Sequence, residues 1–287
     1  MMKLSLFLKN SIKPVLLFVS LNILLISGCS CPVEPTYKGK DIPQLVKKIC
    51  KDEYNLNVTT KRVGSTLWIY APVDKILHKD YGVKEDKVFD DEVAEKLRNI
   101  LTTIGRVLIS SDDTPQFFAL TASDIKLGID YTIIGNVLDI KKSYAEFIPW
   151  TEANRRYVIK FGVSAEAVGD NTGIHLNAFD IALPDFLAQQ ISQRVALELQ
   201  GDQYKKYLRV IKSEGIFNNG TFDFEYQVEN LAKPSRKVNI YKEILKIASY
   251  CLKTYEFTNF SQVRITEAIS KDRIDYNKAA VLNFPGT

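Results

Sequence analysis

Histidine is almost missing from this chain, and with it most of the simple routes to metal and acid–base chemistry: His78 and His175 are the only two in 287 residues. Neither sits in an HExxH frame or a paired ligand spacing, and neither has a cysteine near it, so no zinc site is written here. His78 falls in a charged loop and His175 just after Gly169-Asp170-Asn171-Thr172-Gly173, where a solvated side chain is the simple reading. No GxSxG, SxxK or Cys–His frame occurs, and no glycine-rich loop follows a strand to cradle phosphate. The acid pairs Asp90-Asp91 and Asp112-Asp113 read as helix caps or turn residues. No catalytic residue, metal ligand or cofactor is therefore assigned. Net charge is also scarce. The formal +4 includes Lys3, Lys9 and Lys13, and falls to about +1 without them, which gives no electrostatic reason to expect nucleic acid.

Long apolar runs are absent except for one. Val15 to Ile26, interrupted by Ser20 and Asn22, follows the three leader lysines. It is shorter than the roughly 20 residues a spanning helix needs but has the length of a signal-peptide h-region. The run closes on Leu25-Ile26-Ser27-Gly28-Cys29, where small residues precede a cysteine. This resembles the lipobox of bacterial lipoproteins. The resemblance implies cleavage between Gly28 and Cys29, diacylglycerol on the Cys29 sulfur and acylation of the new amino group. The chain is then a signal peptide over 1–28 and a lipidated tether over 29–40, with membrane lipid as its first partner. Ser30 stands where aspartate would signal inner-membrane retention in enteric-type bacteria, so the periplasmic face of the outer membrane is preferred over the inner membrane. Two or three acyl chains, at about 0.8 kcal/mol per buried methylene, anchor firmly.

Four cysteines are present; with Cys29 lipidated, Cys31, Cys50 and Cys251 remain, an odd number that cannot all pair in one molecule. Cys50 and Cys251 fall on apolar faces of expected helices and read as small buried hydrophobes, with a bridge between them left open. Cys31, in the tether, is the exposed thiol.

The body reads as α+β, a mostly antiparallel sheet with packed helices: an α+β domain over 41–200 and a smaller α/β module over 201–287. Asp41 opens a helix carrying Ile42, Leu45, Val46 and Ile49. A hairpin turns at Gly64-Ser65, and a charged loop follows. Asp90-Asp91-Glu92 starts a helix with the stripe Val93, Leu97, Ile100, Leu101, Ile104 and Leu108. Strands are expected over 116–122, 130–140 and 156–163, with 141–155 a long insertion or hairpin end. A helix from Pro184 reaches about Gln200. Beyond it come a turn at Asn218-Asn219-Gly220, an alternating strand over 221–228, a helix ending at Cys251 and a strand over 262–268. One echo runs through the chain: Cys50-x-x-x-Tyr54-x-Leu56 after one helix and Cys251-x-x-x-Tyr255-x-Phe257 after another, each before a strand. It suggests a repeated helix–strand unit, of a kind that docks partners at sheet edges.

Two stretches suggest interaction. Tyr144, Phe147 and Trp150, followed by Arg155 and Arg156, have the composition of a partner-binding hot spot if exposed; folding back as a cap on the core is the other reading. The strand Asp130-Tyr131-Thr132-Ile133-Ile134-Gly135-Asn136-Val137 is similar to the "Asp-Tyr-x-x-x-Gly-x-Val" strand of envelope lipoproteins in the curli-secretion and penicillin-binding-protein-activator group, where a helix also precedes it. The expectation is a lipid-anchored binding or assembly component of the bacterial envelope, not an enzyme, with an unidentified envelope protein as partner. An envelope hydrolase or transferase acting on peptidoglycan or glycan is the alternative, and needs distant carboxylates such as Asp124 and Glu152 to converge. A passive structural lipoprotein is a third possibility.

Overall fold

The computed structural model describes residues 34–78, 89–164, 178–232 and 238–285. The leader, Cys29, Cys31, His175 and the 169–173 turn lie outside them. In chain order the elements are α1 (Ile42–Tyr54), β1 (Thr59–Val63), β2 (Thr66–Val73), α2 (Asp91–Ile109), β3 (Phe117–Asp124), β4 (Ile129–Asn136), α3 (Val137–Tyr144), α4 (Trp150–Arg155), β5 (Val158–Val163), α5 (Leu183–Leu199), β6 (Leu208–Asn218), β7 (Thr221–Asn230), α6 (Ile240–Thr254), β8 (Gln262–Glu267), β9 (Arg273–Asn277) and α7 (Lys278–Leu282).

The fold is α+β, with a five-stranded sheet ordered β1 to β5 and a four-stranded sheet ordered β6 to β9. Most neighbouring strands are antiparallel hairpin partners, but β2–β3 and β7–β8 run parallel. Parallel partners need a crossover, and α2 and α6 supply it. One unit, a helix followed by a hairpin, thus occurs four times: α1-β1-β2, α2-β3-β4, α5-β6-β7 and α6-β8-β9. The Cys-x-x-x-Tyr echo joins the first unit to the fourth. Both helices are followed by a left-handed residue at the same offset from the cysteine, Asn55 (φ 54°) and Glu256 (φ 52°). The next amide turns back onto the helix in each, Leu56 N–H to Cys50 O and Phe257 N–H to Leu252 O, both at 2.9 Å.

The central strands are buried on both faces. Leu67, Ile69, Phe118 and Leu120 meet α1 and α2, while Trp68, Phe117, Ala119 and Ile134 share a second cluster with α5, α6 and the inner face of the second sheet. Helices, sheet, helices and sheet therefore stack in that order. The expected division at residue 200 does not separate two cores, because Leu187 and Ile191 of α5 share one hydrophobic cluster with Phe117 of the first sheet and Phe222 of the second. Tyr37 to Thr287 is one compact unit. The end of the expected tether belongs to it: Tyr37 N–H donates to Ser110 O at 3.0 Å, and Asp112 Oδ1 accepts from Gly39 N–H at 2.7 Å. Cys50 and Cys251 are free, buried and in separate clusters, so they do not pair.

Two local expectations change. The strand expected over 130–140 ends at Asn136, whose side chain accepts from Leu138 N–H at 2.8 Å and starts α3. The stretch 141–155, expected as a long insertion or hairpin end, forms the rest of α3 and all of α4 between β4 and β5. Apolar Val137 and Ile140 read as a continuing strand, but one helical face buries both.

Candidate functional site

The short helices α3 and α4 lie beside the outer part of the first sheet, and the space between them, β4 and α2 is a cleft of about 510 Å³. That is within the range of small-ligand sites, about 300–1,000 Å³. Leu97, Tyr131, Ile133 and Ile140 line it and are buried, while Leu101 lines it half-buried. Tyr144 and Trp150, at the ends of α3 and α4, meet edge to face at 5.1 Å and are 37% and 48% exposed. Both border the cleft. Its wall depends on a missing side chain: a Cβ at Gly105 of α2 would lie 2.4 Å from the Tyr144 ring. The glycine of the Asp130–Val137 strand has a similar cause, since a Cβ at Gly135 would come within 2.3 Å of Phe118 and 2.9 Å of Tyr157.

Burial pushes the phenols of Tyr131 and Tyr157 up to about 12, with the charge of Asp139 adding to the shift at Tyr157. Both are neutral O–H groups at physiological pH.

Behind α4 lies a buried ionic cluster. Arg156 Nη1 donates to Asp139 at 2.7 Å, its Nε to Glu152 at 3.0 Å and its Nη2 to Tyr250 at 3.2 Å. Arg194 of α5 holds Glu152 with two bonds of 2.9 and 3.1 Å and lies 4.5 Å over the Tyr250 ring. Tyr255 donates to Asp139, and Gln190 to Tyr255 and to Arg156 O. Burial alone would raise the Glu152 carboxyl, but hydrogen bonds from Arg194, Arg156 and Tyr250 outweigh it and hold the group at about 2. Burial drives the Cys251 thiol up to about 12. The cluster ties the insertion to α5 and α6, and so places Trp150.

The residues expected to bind a partner thus separate. Tyr144 and Trp150 border the cleft, and Phe147 stands 81% exposed on the turn between α3 and α4. The Arg155 side chain is 59% exposed and lies 3.5 Å from Glu198. Arg156 is a correction: it is 5% exposed and belongs to the ionic cluster, because its partner Asp139 sits on the buried face of a helix where a strand was expected. Asp124 and Glu152, the carboxylates of the hydrolase alternative, have separate partners. Asp124 accepts from the amides of Ile76 and Leu127 at the far end of β3. Sequence reasoning missed Arg98, Asp139, Arg194 and Tyr250, and met Tyr255 only in the Cys-x-x-x-Tyr echo; Arg98, on the flank of the α2 stripe, carried a local signal.

No helix among the described residues is long and apolar enough to cross a membrane. No protein-family model, curated protein or solved structure matches this chain.

Proposed function

We propose that this chain is a lipid-anchored protein of the bacterial envelope, with Cys29 as the acylated residue, that acts as a binding or assembly component through the cleft between α2, β4 and the α3–α4 insertion. The observation that carries the binding part is the cleft: an apolar floor within ligand-site dimensions, bordered by half-exposed aromatic rings, with Phe147 presented beside it. Aromatic anchors in and around a desolvated pocket are the composition of binding hot spots. The anchor rests on the Leu-Ile-Ser-Gly-Cys29 motif. With Tyr37 held in the folded unit, the eight residues from Cys29 reach at most about 3.6 Å each, so the body sits within roughly 30 Å of the bilayer surface.

Two experiments test the parts separately. Mass analysis of the mature protein should find its first residue to be Cys29 carrying diacylglycerol, and Cys29→Ser should leave an unprocessed precursor; a bare or displaced terminus rejects the anchor. Crosslinked envelopes from wild type and Trp150→Ala should differ in what the protein captures. Identical captures at equal protein levels reject the cleft as the binding site.

A further inference from the structure

The lining of the cleft narrows the class of ligand, given the reading that the cleft binds one. Among the described residues, the thirteen that line the cleft include no acid and one formally charged side chain, Arg98. The other cations of α2 are matched: Lys96 lies 2.7 Å from Glu92, and Arg106 is 2.6 Å from Glu53. Arg98 has no ion pair among the described residues, and one turn to either side of it stand Ala94 and Thr102, which also line the cleft. Asn154, on the α4 side, adds an uncharged amide. The floor below is apolar, and its phenols, Tyr131 and Tyr157, remain neutral donors.

We infer that the cleft binds a single-chain amphiphile with one anionic group, a long-chain carboxylate, its tail against Leu97, Leu101, Ile133 and Ile140 and its head at Arg98. A single unmatched cation over an apolar floor selects one negative charge joined to an apolar body. A nucleotide or polyphosphate carries several charges that the lining does not answer. A neutral lipid leaves Arg98 unused. Each methylene buried multiplies affinity about fourfold, so the tail supplies most of the binding and the head its orientation and selectivity. Arg98 is exposed, so its share is that of a screened pair, at most about fivefold in affinity.

The test uses the full chain in its own membranes, with two photo-reactive probes of equal length, a diazirine-bearing long-chain carboxylate and the matching alcohol. Labelled peptides are mapped by mass spectrometry in wild type and Arg98→Gln. Because both proteins meet the same membrane, partitioning of each probe cancels. The inference predicts that the carboxylate labels peptides from α2 and α4 more than the alcohol does, and that Arg98→Gln lowers carboxylate labelling by up to about fivefold while leaving the alcohol unchanged. Equal labelling by both probes, unmoved by the substitution, overturns the anionic head but leaves an apolar site. Absence of both probes from these peptides overturns the amphiphile. If capture then still depends on Trp150, the broader binding proposal stands; if it does not, that proposal falls as well.

Discussion

Arg155 and Arg156 are chain neighbours that the fold puts to opposite uses, and replacing each with methionine gives the sharpest test of the ionic cluster. Arg156 has a side chain 6% exposed against an Asp139 side chain 3% exposed at 2.7 Å, and it also holds Glu152 at 3.0 Å. Removing one partner of a buried pair strands the other charge, at about 3–5 kcal/mol. Arg155 faces solvent, 3.5 Å from a half-exposed Glu198, and such pairs contribute about 0–1 kcal/mol. Urea unfolding followed by far-ultraviolet circular dichroism, with linear extrapolation, should therefore show Arg156→Met losing about 3–5 kcal/mol and Arg155→Met less than about 1. Adding Asp139→Asn to Arg156→Met should recover part of the loss, because the stranded carboxylate is then gone. Equal small losses for both arginines would refute the reasoning, since they would mean that water reaches the cluster.

Other consequences are as direct. The Glu152 carboxyl is depressed to about 2 from an ordinary value near 4.5, so its contribution is fully present above pH 4.5 and is lost as pH falls towards 2. The depression corresponds to at most about 3 kcal/mol, and Glu152→Gln should flatten the acid limb of a stability profile between those limits. Gly135→Ala drives a Cβ to 2.3 Å from the buried Phe118 ring and should cost about 1–3 kcal/mol as overpacking, seen as a lower unfolding midpoint with unchanged slope. In the native protein, a thiol reagent should reach Cys50 and Cys251 only after denaturation, because both are buried and the Cys251 thiol is raised to about 12. Rapid modification of Cys50 or Cys251 without denaturant would contradict their placement.

Much of the fold was legible because local pattern and tertiary burial agreed. The stripe from Val93 to Leu108 and the alternation of Phe222, Phe224 and Tyr226 correspond to α2 and β7 as they stand in the structure. The acids at 90–92 cap and charge the start of α2, with Asp90 accepting from Glu92 N–H at 3.1 Å. The strand expected over 130–140 stops short, and the helices inside the 141–155 insertion carry no clear local signal, because they bury their apolar residues through tertiary contacts and a run such as Val137-Leu138-Asp139-Ile140 satisfies either period. The local signal for α3 is Asn136, a good N-cap residue whose side chain accepts from Leu138 N–H. In the cleft, Tyr144 and Trp150 were marked by their aromatic content, Tyr131 and Ile133 by their strand, and Leu97 and Leu101 by the α2 stripe. Arg98 and Tyr131 join them through the packing of α2 beside β4, and Arg194, Tyr250 and Tyr255 reach Arg156 from helices far along the chain. No spacing rule relates such positions.

The proposal that the cleft is where this protein binds is tested most directly by placing a photo-reactive phenylalanine at position Trp150, with the same residue at Ile216 as a control that is 62% exposed on β6 of the second sheet. Irradiated in native envelopes, position 150 should yield discrete adducts that position 216 does not. The same adducts from both positions, or none from position 150, would contradict it.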